Sequence, residues 1–410
     1  MDGSKPTVAT VSGPTSFCRA AAETVLGDPS SIKLRLKVSI GPVPDASSLA
    51  FTLGLGLDFA FSPLLKLQRT PYGGRSLFAA QAIPAGTLLH VCAAPHAHVV
   101  YRAFRKEVCA RCFAYATQAQ KRVQAGFGAG APYFCGEACR DAWIVVAQIE
   151  QILADEAPEE HEEQLGITKN GTRPEMAKEQ LDRAWGRVEA WTKAKYGRSG
   201  PPLPFALDEG ELDIARFAVS AIVRRHQEAD PPFAEPELAI SRLLSLQDSE
   251  LANVRMRPYL LRAHLRVCAF LGAALPPPLR AHVGVVRQLL ARETGNAFGI
   301  WEGDQLPEGR ISIGDSEKEA EDTRDMRERE MFGWGVWVSA SLFNHSCAPN
   351  VRKKRSGRSL EFFTLRDVKE GEELRISYAS TDKPVGERRE ALRTSWFFDC
   401  MCSRCVRESS

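Results

Sequence analysis

A chain of 410 residues that is 44% apolar and 25% charged has the composition of a globular protein with room for two or three compact units. Its formal net charge of +2 gives no electrostatic case for nucleic acid or a membrane surface as a partner. The most apolar stretch, residues 50–67, is broken by Asp58, Pro63 and Lys66 and reads as a buried strand region; the opening MDGSKP lacks the basic-then-apolar order of a secretory signal.

Residues 1–57 form an extension rich in Ser, Thr, Pro, Gly and Ala, with one alternating run, Lys33 to Ile40, and nothing suited to chemistry. Residues 58–105 change to short paired strands. LLKLQRTPYGGRSLFAA reads as strand, Gly73-Gly74 turn, strand, and Pro84-Ala-Gly86 leads into a further strand, Thr87 to Val91. A Gly-Gly pair is most often only a turn, although it also lets a ligand approach the backbone.

Residues 106–144 hold Cys109-x2-Cys112 and Cys135-x3-Cys139. Two knuckles with two thiolates each make the donor set of a closed, structural zinc site. Eight of the eleven cysteines fall in two groups, the second being Cys347, Cys400, Cys402 and Cys405. In a chain without a signal sequence that distribution points to metal, not disulfides. Cys18, Cys92 and Cys268 stand alone among small or apolar residues and read as small buried hydrophobes.

Residues 145–295 are helical in pattern. Leu181, Trp185, Val188 and Trp191 recur at helical spacing, as do Leu212, Ala215, Phe217 and Ile222, and then Leu260, Leu261, Leu265 and Phe270. Breaks fall at Gly200-Pro-Pro, Asp230-Pro-Pro and Pro276-Pro-Pro, and the acidic run 155–164 reads as a solvated face or loop.

Residues 296–380 return to strands. Asn296 to Trp301 and Gly333 to Trp337 flank a charge-dense segment, 303–330, that reads as a mobile surface insertion. Then come Asn344-His345-Ser346-Cys347, a basic cluster Arg352-Lys-Lys-Arg355 expected as a solvated turn, and two strand-like runs, Leu360 to Leu365 and Leu374 to Tyr378. Residues 381–410 carry Cys400-x-Cys402-x2-Cys405, three ligands of a metal site whose fourth must come from elsewhere. Each feature alone is bland: Asn344-His345 is a turn with a satisfied histidine, and Tyr378 an ordinary strand tyrosine. Together they read as an active site closed by a metal.

In their order these motifs resemble the protein-lysine methyltransferases of the SET class, specifically the MYND-containing SMYD group. Gly74-Arg75-Ser76-Leu77-Phe78-Ala79 is similar to that group's glycine loop, Cys109 to Cys139 to its inserted MYND finger, Asn344 to Cys347 with Pro349-Asn350 and Tyr378 to its active-site segments, and Phe398-x-Cys400-x-Cys402-x2-Cys405 to its post-SET zinc loop. The resemblance covers roughly residues 60–408 and implies an α+β fold. Its parts are a β-rich, pseudoknotted SET domain with an inserted zinc finger, a helical insert and a post-SET zinc loop.

It further implies that Asn344, His345, the backbone at Gly73, Gly74 and Arg75, and the Asn296 side chain hold S-adenosylmethionine, with Phe398 packed against it. Tyr378 becomes the catalytic tyrosine beside the methyl donor, Phe298 and Trp396 wall the lysine channel, and Cys347 joins Cys400, Cys402 and Cys405 as a second zinc site. A monomer acting on a protein with an accessible lysine, histones included, in nucleus and/or cytoplasm follows from the same resemblance.

There are departures. No second Cys pair lies between Cys112 and Cys135, and the group's later His and Cys are missing after Cys139, where Trp143 is followed by IVVAQIEQIL, so the finger reads as a one-zinc MYND finger. Ser76 stands where the group usually has a second glycine, and Glu250 in LQDSEL where relatives carry a cofactor-contacting residue. The sequence stops at Ser410 without the group's C-terminal helical domain, which leaves one side of the peptide groove more open. These departures keep a second expectation in play, a catalytically silent interaction module of the same fold.

Overall fold

The computed structural model describes residues 61–409 other than 73, 117–122, 125–130, 154–175, 196–204, 229–238 and 303–328. The N-terminal extension, Cys18, Gly73, the acidic run 155–164, the first two Pro-Pro breaks and residues 303–328 of the charged segment lie outside the described residues.

The first hairpin pairs β1 (Leu65–Thr70) with β2 (Gly74–Ala79) in a six-residue register from Leu65↔Ala79 to Thr70↔Gly74. β3 (Leu88–Cys92) and β4 (Ala97–Val100) follow, and then a small hairpin of β5 (Val123–Gln124) and β6 (Tyr133–Phe134) with the short helix α1 (Glu137–Asp141) beside it.

From Ile144 to Glu293 the described elements are all helical: α2 (Ile144–Ile152), α3 (Lys178–Lys195), α4 (Glu209–Gln227), α5 (Ile240–Leu244), α6 (Glu250–Met256), α7 (Tyr259–Ala274), α8 (Pro277–Arg280) and α9 (Val285–Glu293). The start of α4 is fixed by a capping box, in which the Asp208 carboxylate accepts from Glu211 N and the Glu211 carboxylate accepts from Asp208 N. The apolar stripes do what their spacing requires: Leu181, Trp185 and Val188 of α3, with Ala215, Phe217 and Ile222 of α4, are buried in one core that also takes in strand residues Val99 and Val336. The third proline break is a turn between helices, with Pro276 capping α8.

The strands then resume as β7 (Ala297–Trp301), β8 (Met331–Val336), β9 (Asn344–His345), β10 (Val351–Ser356), β11 (Ser359–Thr364) and β12 (Arg375–Ile376). They pair as β4–β8–β7, β10–β11–β3 and a short parallel pair, β9 with β12. A second core of Leu77, Ile300, Trp337, Phe343 and Phe362 lies among them. The chain ends in α10 (Val385–Trp396) and α11 (Ser403–Ser409), which enclose a third, small cluster of Cys347, Leu392, Cys400, Cys402 and Cys405.

One expectation is corrected. Arg352 to Arg355 is not a turn but most of strand β10, registered against β11 from Val351↔Thr364 to Ser356↔Ser359. The turn is one step later, at Gly357, whose φ of +56° supplies the left-handed residue that a tight reversal needs. Arg355 is buried and donates to the Trp301 and Gly357 carbonyls, so a residue that looked solvated is part of the fold. Cys92 and Cys268 are both buried, and burial pushes the Cys268 thiol up to about 12.

Candidate active site

The parallel pair of β9 with β12 sets Arg375 beside Asn344 and Ile376 beside His345, which brings Tyr378 next to a segment more than thirty residues upstream. Tyr378 lies two residues beyond β12, and its backbone N–H donates to His345 Nδ1 at 3.1 Å. That bond assigns the tautomer: Nδ1 accepts, so Nε2 carries the proton and donates to Cys347 Sγ at 3.2 Å. Burial, with the charges of Arg375 and Arg388, brings the His345 pKa down to about 4, so the ring is neutral near pH 7. One imidazole thereby links the tyrosine backbone to a cysteine.

The Tyr378 hydroxyl donates to the Phe343 carbonyl at 2.8 Å. Burial first, and then the negative charge of Glu373, push this phenol well above its ordinary pKa, so it stays protonated. Its ring is 5.6 Å from that of Trp396 and edge-on to that of Phe398, and His345 lies 5.9 Å from Phe398. These four side chains form one aromatic wall. Between Trp396 and Phe398, Phe397 ends α10 in the left-handed conformation, φ +62°, which turns the chain toward the C-terminal cysteines. Phe298 is not in that wall: its ring meets Trp337 at 6.3 Å and lies under the Lys353 ammonium at 5.7 Å, and it packs against the strand core.

The upstream arm reaches the same region. Gly74 has φ +74°, and a Cβ built on it meets nothing within 4 Å, so the glycine is required by conformation and leaves open space beside the backbone. Arg75 Nη2 donates to the Ser245 carbonyl at 2.5 Å, tying the first hairpin to the helical region. Asn296 is buried and spends both amide hydrogens on the carbonyls of Gln247 and Arg292, while Ser341 Oγ donates to its backbone carbonyl. Glu250 has a different occupation altogether. It accepts from Trp185 Nε1 at 2.6 Å and from Arg287, an ion pair within the helical core.

Sequence reading missed a carboxylate. Glu373 is buried and accepts from Asn344 Nδ2 at 3.2 Å, from the Tyr72 hydroxyl and from Arg375 Nε at 2.7 Å. Burial alone would raise its pKa; the bonds from Arg375 and Tyr72 outweigh that and hold the carboxyl below its usual range. A fixed anion thus orients the Asn344 side chain. The signal available in sequence was the Glu373-x-Arg375 pair, two opposite charges on one face of a strand.

Two sets of four cysteines have all their sulfurs within 4.8 Å of one another: Cys109, Cys112, Cys135 and Cys139, and Cys347, Cys400, Cys402 and Cys405. In the first, Cys112–Cys135 and Cys135–Cys139 are each 3.5 Å apart; in the second, Cys347–Cys400 is 3.9 Å and Cys347–Cys405 3.5 Å. A tetrahedron with Zn–S bonds of about 2.3 Å has edges of about 3.8 Å, so both sets can hold zinc. None of these pairs is near the disulfide length of about 2.05 Å. Within the second set the thiols are pulled apart: burial raises Cys402, but backbone N–H donors from Cys405 and Cys347 and the neighbouring thiols bring it down to about 6, while burial pushes the Cys347 thiol up to about 11 and raises Cys400 as well.

A family model described as the SET domain matches residues 74–379. A potential protein lysine methyltransferase of Saccharomyces cerevisiae, SET6, is 31% identical over 391 residues, spanning 85% of this chain and 96% of that protein. A SET and MYND domain-containing protein of Dictyostelium discoideum is 45% identical over 89 residues, 21% of this chain and 17% of its own. A histone-lysine N-methyltransferase of Yarrowia lipolytica, SET5, is 41% identical over 75 residues, 18% of this chain and 17% of its own.

Proposed function

The chain belongs to the SET-domain family, and from that membership we infer that it is an S-adenosylmethionine-dependent protein-lysine methyltransferase. The observation that carries the reading is the His345 ring, which holds the backbone of Tyr378 on one side and Cys347 of a four-cysteine set on the other. Bound S-adenosylmethionine supplies the chemistry, an activated methyl group on a sulfonium. What this chain contributes is binding and orientation.

Asn344, with its side chain fixed by Glu373, and the open backbone at Gly74, with its neighbours Gly73 and Arg75, are the cofactor-holding groups in this reading. Both ring nitrogens of His345 are committed, so its contribution comes through its backbone and ring face. Both amide hydrogens of Asn296 are committed too, which leaves its Oδ1 to accept from a cofactor donor. Phe398 offers an aromatic face to the same ligand.

Trp396 serves as a channel wall for the aliphatic stem of the lysine and excludes water from its amine, while Phe298 lies apart from it on the strand core and has no channel role in this reading. A lysine of pKa about 10.4 costs roughly 4 to 5 kcal/mol to deprotonate at pH 7, and an apolar channel lowers that cost. Tyr378 is not a base here: its own proton is engaged with the Phe343 carbonyl and its pKa is raised. Its oxygen lone pairs remain to accept from, and so aim, the amine.

We read Cys109 to Cys139 as a MYND finger reduced to one zinc, and Cys347 with Cys400, Cys402 and Cys405 as a post-SET zinc knot on a pseudoknotted chain path. The substrate is a protein lysine, with histones the first to try, since one relative bears that name. No helix among the described residues is long and apolar enough to cross a membrane.

The test is methyl transfer from labelled cofactor to histones and to a broad lysine-peptide panel, with wild type beside Tyr378→Phe. Incorporation by wild type that drops about tenfold or more in Tyr378→Phe supports the reading. Cofactor binding without any incorporation across the panel would favour the silent module instead.

A further inference from the structure

The knot is wrapped in arginines that the reading above leaves without a task. Arg388, on α10, is 2% exposed and lies against the sulfurs: its Nη2 donates to Cys405 Sγ at 3.7 Å and to Glu408 at 2.5 Å, and its Nη1 donates to the Lys383 carbonyl at 2.5 Å. Arg389 donates to the carbonyls of Cys400 at 3.1 Å and Cys405 at 3.4 Å. Arg404 donates to the Cys347 carbonyl at 3.1 Å and pairs with Glu408 at 2.7 Å.

Three guanidinium groups therefore donate to atoms of the knot cysteines, and the Glu408 carboxylate pairs with two of them, a sum of two positive charges. Zinc with four thiolates carries two negative charges, and all four of these cysteines are buried, where an unbalanced charge is costly. The charges match. A buried arginine whose fork points at sulfur has no apolar reason to be there, since α10 and α11 could be joined by a hydrophobic contact at lower desolvation cost.

We propose that Arg388 is a positioning residue of the metal knot: its N–H groups donate to the thiolates and its charge offsets theirs, so that a buried zinc is retained and Cys347 keeps His345 in place. The inference rests on the reading that the knot holds zinc. Its rival is a strut, in which Arg388 serves only to tie α10 to Glu408 of α11. The two differ in what the sulfurs feel. A strut is lost equally by removing either partner, whereas a thiolate contact is lost only with Arg388.

The experiment uses the full chain with its zinc. After a chelator is added, alkylation of each cysteine is followed by mass spectrometry, with Cys400–Cys405 reporting the knot and Cys109–Cys112 the finger. Protection of the wild-type knot that is lost once chelator is added establishes its metal, since burial alone would persist; immediate alkylation before chelator, or protection that chelator leaves unchanged, removes the zinc reading and this inference together. With the wild-type knot protected, Arg388→Met is expected to expose its cysteines about tenfold faster or more, with the finger unchanged, and Arg388→Lys to restore part of the protection. Glu408→Gln is expected to change the knot rate by no more than about threefold. An Arg388→Met rate within about twofold of wild type, a Glu408→Gln effect as large as Arg388→Met, or no gain from Arg388→Lys would each overturn the proposal. Should Arg388→Met not fold, Arg388→Lys decides alone, because it keeps charge but not the fork: about threefold acceleration supports the proposal and an unchanged rate overturns it.

Discussion

The finger and the knot offer the same four sulfurs, gathered within the same 4.8 Å, in opposite surroundings. Of the finger cysteines only Cys109 is buried, with Cys112 and Cys139 half-buried and Cys135 exposed, whereas all four knot cysteines are 0–6% exposed. The finger closes on itself: Cys109 N donates to the Ala114 carbonyl, and Ala110 N to the Tyr133 carbonyl of its own hairpin. It docks on the body through His98, whose Nε2 lies 2.9 Å from the Ala110 carbonyl and whose ring stacks on Trp143. The knot instead joins segments 53 to 58 residues apart in sequence, and one of its sulfurs is bonded to the histidine that holds Tyr378. A donor set defines what can be bound; the groups attached to it decide what the binding controls.

If that contrast is right, the largest effect belongs to Cys400→Ala. It should remove one of two zinc ions by elemental analysis and reduce methyl transfer roughly 100-fold or more, because His345 and the aromatic wall lose their anchor. Retention of both ions would show the sulfurs to be wrongly paired.

Glu373→Ala should act on the same side of the comparison without touching either metal. It strips Asn344 of its acceptor and leaves the Arg375 charge unpaired, at a cost of about 1–3 kcal/mol, so cofactor affinity should fall about tenfold with two zinc ions still present. A lost zinc would mean that Glu373 supports the knot and not the pocket.

On the finger side the sharper probe is pH. His98 is fully buried, and burial with nearby arginine charge pushes its pKa down to about 3. As pH falls below about 6.5 the unfolded chain takes up a proton at this histidine that the folded chain refuses. Stability should therefore decline with falling pH, by about 1.4 kcal/mol per unit from this group, until the pH nears its folded value. Urea midpoints between about pH 7 and pH 5 measure it, and His98→Gln should flatten the slope.

What could be read beforehand follows the range of the interactions. The helical stripes, the first hairpin and both cysteine spacings are local patterns, and residues three to four apart on a helix or at chelating distance announce themselves. The Glu373 network was illegible because Tyr72 and Glu373 are 301 residues apart, and the fold alone brings them together. Arg388 looked like one arginine among many until its burial distinguished it. Arg352 to Arg355 misled by composition, since four consecutive cations suggest solvent and the pairing with β11 overrides that preference. Glu250, which seemed to displace a cofactor contact, is accounted for by Trp185 and Arg287, partners 65 and 37 residues away.

The most direct test sets one variant of each cluster side by side: calorimetric titration of S-adenosylmethionine into Cys347→Ala and Cys112→Ala, with zinc counted in both. Each should have lost one ion. Cys347→Ala should bind the cofactor about a hundredfold more weakly than wild type, and Cys112→Ala within about threefold of it. Equal affinities in the two variants would contradict the account, because the knot would then be no more a part of the active site than the finger.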